Sequence, residues 1–139
     1  MGYLISIVFL LIYIGISTIF GWSEAMYWYY VYKGKAKRLK KYEHILWTVL
    51  RTCCFIPFVY IWFTIFSWSA VFGAVAIPFL FPFFHDGMYY LMRNKFDGSY
   101  PKGWRDFSKT STAKIRLNWN TRLIMFFIGI VSFTLMFII

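Results

Sequence analysis

Apolar residues run along this chain in long blocks, and the polar residues are confined to the stretches between them. Residues 1–23, 52–84 and 123–139 contain no Asp, Glu, Lys or Arg. A helix needs roughly 20 predominantly apolar residues to cross ~30 Å of hydrocarbon. The blocks therefore predict spans over about 3–30, 44–66, 69–91 and 117–139. The expected fold is an all-α integral membrane protein, a bundle of about four transmembrane helices, with 1–139 forming a single membrane domain.

The middle pair rests on an argument about length. One continuous helix over 44–91 would project far beyond a bilayer as bare hydrophobic surface. The small polar cluster Ser67-Trp68-Ser69 is the expected hairpin, although it contains neither Gly nor Pro. Pro57, Pro78 and Pro82 fall inside the predicted helices, where each frees a carbonyl and favours a kink.

Charge placement supplies a second line of argument. Lys33, Lys35, Lys37, Arg38, Lys40 and Lys41 crowd the first loop. Arg93, Lys95, Lys102, Arg105, Lys109, Lys114 and Arg116 follow the third block. A hairpin between them puts both loops, 33–43 and 92–116, on one side of the membrane, as the positive-inside rule requires. Three spans would separate them. The expected topology is thus N-out and C-out, with cytoplasmic basic loops against anionic headgroups of a cytoplasmic (inner) membrane.

Composition agrees. Hydrophobic residues make up 60% and charged residues 14% of the 139 residues, against roughly 45–50% and 25% in soluble domains. A soluble chain this small has no interior large enough to hide that much apolar surface. The net charge of +10 would suit a nucleic-acid binder, but its interruption by membrane-length apolar runs excludes that class. Cys53 and Cys54 are adjacent, which disfavours a disulfide between them. No basic region precedes the first apolar block, so it reads as a span and not as a cleaved leader.

Polar residues at membrane depth carry the candidate chemistry. Counting 1.5 Å per residue from the nearest loop, Glu24 lies ~13 Å inward, Arg51 and Asp86 ~10 Å, and Arg122 ~9 Å. Charges facing lipid at that depth are costly, so these groups should turn inward and pair, two acids against two bases. Helical spacing aligns Ser17, Gly21 and Glu24 on one face, and likewise His44, Thr48 and Arg51. Asp86, Tyr90 and Arg93 align on the third block, with His85 above Tyr89. The candidate polar cluster is Glu24, His44, Arg51, His85, Asp86, Tyr89, Arg93 and Arg122. It serves either as a packing knot or as a site for ions, protons, a headgroup or a metal.

A metal or other cofactor is not expected. The chain has two histidines, and the adjacent pairs Glu43-His44 and His85-Asp86 diverge on a helix. No phosphate loop or nucleophile elbow occurs. Three function classes remain: a channel- or transporter-like protein, a non-catalytic accessory protein of a membrane complex, and a small membrane enzyme using the His/Asp/Glu cluster. A channel built from so few helices needs several copies, so a homo-oligomer or larger complex is expected. Gly73-Ala74 with Ala70 and Ala76 offers a close-approach patch for it. In the second loop, Asp97 to Gly103 is rich in turn formers. Ser108 to Thr112 offers N-caps for a helix running into the last span.

Overall fold

The computed structural model describes residues 2–32, 40–98, 103–105 and 117–139, and of these 93% are helical and none is in a strand. Helix α1 covers Gly2–Tyr27 and runs on through a wider π turn at Trp28–Tyr32. Helix α2 covers Lys40–Phe66, α3 covers Ala70–Phe96 and α4 covers Trp119–Ile138. Among the described residues three helical stretches are long and apolar enough to cross a membrane: Gly2–Tyr30, Ile45–Phe96 and Trp119–Ile138. The described part of the protein is all-helical in class and has the character of a membrane protein.

The 52 residues of the second stretch are not one rod. A 3₁₀ turn at Ser67–Ser69 breaks it, with Ser67 at φ 53°. A left-handed residue reverses the chain here without glycine. The Ser69 hydroxyl donates to the Phe66 carbonyl at 2.9 Å, satisfying a group that the end of α2 leaves open. The two arms then meet in register: Trp62 lies against Gly73, Phe55 against Phe81 at 6.2 Å, and Arg51 against His85 at 2.8 Å. Each pair is nearly equidistant from Trp68, as an antiparallel hairpin requires. Trp68 itself stands at the tip, 82% exposed.

Aromatic contacts tie the helix ends together. Tyr3 packs on Phe66 and Phe137 at the end that holds the turn, while Tyr29 stacks on Phe96 at the other. Tyr13, Trp62, Leu80, Phe133 and Met136 fill the core between these ends. On α1 the buried face carries Ser6, Tyr13, Ser17, Gly21, Glu24 and Ala25, while Leu4, Leu11 and Ile19 point outward. A helix in water buries its apolar side. Here the more polar side is inside, as a lipid solvent favours.

Several sequence expectations change at the edges. Lys40, Lys41, Tyr42 and Glu43 belong to α2, not to the first loop, and Arg93 and Lys95 lie in the last turn of α3, not in the second. Helix α4 starts afresh: the Asn118 side chain accepts from the Thr121 amide at 2.8 Å. Asn118 is a true N-cap, and Leu117 before it is not helical. The expected caps from Ser108 to Thr112 lie outside the described residues. Three of the four small residues of the expected patch face inward, while Ala74 stays partly exposed. Ala70 and Ala76 are buried, and Gly73 packs against Met136 and Trp62.

Candidate functional site

Three helices bring the site together because each places an ionisable residue at the same level. Glu24 comes from the last turn of α1, Arg51 from the middle of α2, and His85 with Asp86 from α3 beyond Pro82. Gly21, one turn before Glu24, lets α1 approach closely, since a Cβ there would collide with the His85 carbonyl and meet the Tyr89 amide. Glu24 is thereby carried up to the imidazole.

The arrangement is a short chain of bonds. Arg51 Nη2 donates to Glu24 Oε2 and lies 2.8 Å from His85 Nε2. That same His85 nitrogen is 2.9 Å from Glu24 Oε2, while Nδ1 on the far side of the ring is 2.9 Å from Asp86 Oδ1. The order is therefore Asp86, His85, Glu24, Arg51. Its middle is buried and its ends are partly open: the side chains of His85 and Glu24 are 6% and 10% exposed, those of Asp86 and Arg51 28% and 21%.

Aromatic rings wall this chain. Phe81, one turn before His85, stacks on the imidazole at 4.6 Å, and Tyr89 lies nearly parallel to it at 6.4 Å. The Arg51 guanidinium sits 4.9 Å from the Phe81 centroid and 6.0 Å from that of Trp47. Such faces stabilise a cation that has left water.

Of the remaining candidates, Arg122 is fully buried on α4 at 5.3 Å from the Tyr90 ring and 5.8 Å from Trp119. Arg93 lies on α3 about 10 Å beyond Asp86. The His44 side chain lies outside the described residues. Sequence reasoning omitted Phe81, Trp47, Trp119 and Trp104, and it aligned Tyr90 with Asp86 without placing it in the cluster. Phe81 was detectable from its i, i+4 spacing to His85. Trp104 was not: it arrives from the second loop and packs over Gly87, where any Cβ would meet the indole.

The two carboxylates take opposite nitrogens of one imidazole, so they do not converge on a common point. Among the described residues no group of three His, Cys, Asp or Glu is placed to hold a metal ion. What the arrangement offers is a set of proton-carrying atoms in hydrogen-bond contact. Comparison with protein-family models, with curated proteins and with solved structures returns no match, so the site is read from its own geometry.

Proposed function

We propose that this is a four-span membrane protein, channel- or transporter-like, in which Asp86, His85 and Glu24 pass protons between the basic side and the interior. The single observation that carries this reading is the placement of His85, with one ring nitrogen on each carboxylate. Carboxylates and histidines at membrane depth are the usual parts of proton relays.

The geometry offers His85 hydrogen-bond partners in two proton counts. With both nitrogens protonated, the imidazolium donates to Asp86 and to Glu24. When the Nε2 proton leaves, that nitrogen becomes an acceptor, and Arg51 Nη2 already lies at 2.8 Å to donate to it. A relay needs this property, because the imidazole must be held in place both before and after it passes a proton. The partial exposure of Asp86 provides an entrance, while Glu24 behind it is screened.

Topology supports the same reading. The Ser67–Ser69 turn sends α2 and α3 in opposite directions, so a two-span reading of the second apolar stretch puts both basic loops on the cytoplasmic side.

The test is reconstitution into liposomes under an imposed pH gradient, with an internal pH-sensitive dye. The wild-type protein should dissipate the gradient faster than empty liposomes. His85→Gln retains a hydrogen-bonding side chain but has no titratable nitrogen, and it should return the rate to background. Equal rates for the two proteins, or no flux from wild type, would sink the relay.

A further inference from the structure

The hairpin of α2 and α3 is not packed shut along its length. A cleft of about 710 Å³ opens on its lipid-facing side. One wall is α2 from Thr48 through Phe55 and Val59 to Phe63, and the other is α3 at Ala74, Pro78 and Phe81. From Thr48 to Phe63 the cleft extends about 22 Å along the helix, more than half of a ~30 Å hydrocarbon core. Its lining is apolar apart from one end, where Thr48, Arg51 and Thr52 gather, and the exposed Tyr60.

At that polar end Arg51 has donors to spare. A guanidinium carries five N–H donors, and the described hydrogen bonds of Arg51 all run through Nη2. The negative charge of Glu24 already balances it, so the end suits a neutral oxygen acceptor better than a second carboxylate. Six basic residues and no acid lie at 33–41, the stretch that leads into α2. An anionic group is therefore attracted to the membrane surface at this end of the helix. An apolar tail, neutral ester oxygens and an anionic head, in that order, describe a phospholipid.

We propose that this cleft binds one anionic phospholipid from the leaflet facing the basic segments, an acyl chain lying along Phe55, Val59 and Phe63 and an ester carbonyl accepting from Arg51. The site is independent of proton relay, since it needs Arg51 as a donor and not His85 as a carrier. Ala74 provides the room on the α3 wall, and Ile56, 58% exposed, borders the cleft on α2.

The experiment is native mass spectrometry of the delipidated full-length protein, titrated separately with phosphatidylglycerol and phosphatidylcholine. Wild type should hold one phosphatidylglycerol per chain about tenfold more tightly than phosphatidylcholine. Ala74→Leu and Ile56→Trp, which fill the cleft from opposite walls, should each remove that preference. Val75→Phe, in the separate α3/α4 groove of about 460 Å³, should preserve it. Equal retention of the two lipids by wild type would reduce the cleft to ordinary lipid contact. Undiminished retention in both cleft-filling variants would also overturn the site.

Discussion

Glu24 and Arg51 show how a membrane interior forces residues into one another's company. Neither charge has a cheap position in hydrocarbon, and each finds the other across the α1–α2 contact. Their bond also sets where His85 sits, because the imidazole shares Glu24 Oε2 with Arg51. Removing one member leaves a charge in a poorly hydrated place. Arg51→Ala should cost about 3 kcal/mol, as for other broken ion pairs away from water. Glu24→Gln should cost a comparable amount. The Glu24→Gln/Arg51→Ala double variant should lose less than the sum by about 1–3 kcal/mol. Thermal denaturation of the four proteins in one detergent measures this, and strict additivity would show that the pair is not coupled.

At the scale of elements, the turn between α2 and α3 is the feature on which the rest depends. It is made by a serine at φ 53° and not by a glycine. An L-residue pays roughly 1–2 kcal/mol to be left-handed, and a β-branched side chain there is a genuine outlier. Asn tolerates the conformation better than most residues. Ser67→Val should therefore destabilise the protein by about 1 kcal/mol beyond what the serine already costs, while Ser67→Asn should be close to neutral. Denaturation midpoints of the two variants decide the matter, and equal losses would mean that the turn is not held at this residue. The prolines contribute differently. Pro78 and Pro82 lie on α3, where Tyr13 donates to the Ile77 carbonyl at 2.5 Å. A neighbouring helix thus supplies polar contact to backbone near the interruption.

For the whole molecule, the alternation of helix directions carries the proposed topology. If α2 and α3 each cross the bilayer, Lys37 and Gly103 must lie on one side. Single cysteines introduced at the two positions, with Cys53 and Cys54 replaced, can be probed in intact cells with an impermeant thiol reagent. Both should be protected until the membrane is permeabilised. Labelling of only one would remove the four-span arrangement, and with it the approach of protons from the basic side.

Much of the helical, apolar architecture was legible in the chain, for a physical reason. Hydropathy is a sum over neighbouring residues, so apolar blocks and the membrane class follow without knowledge of tertiary contacts. Depth follows equally simply from 1.5 Å per residue, which placed Glu24, Arg51 and Asp86 at one level before their helices were assembled. What the levels could not tell was which groups touch. That depends on helix rotation and neighbour order, and blocks that are apolar on nearly every face leave both unspecified. Only the tertiary structure put His85 between two carboxylates, set Phe81 over its ring and gave Arg122 the faces of Tyr90 and Trp119. It also turned Ala70, Gly73 and Ala76 inward, because small residues suit a close contact within one chain as well as between two. The solvent was written in the sequence; the partners were decided by packing.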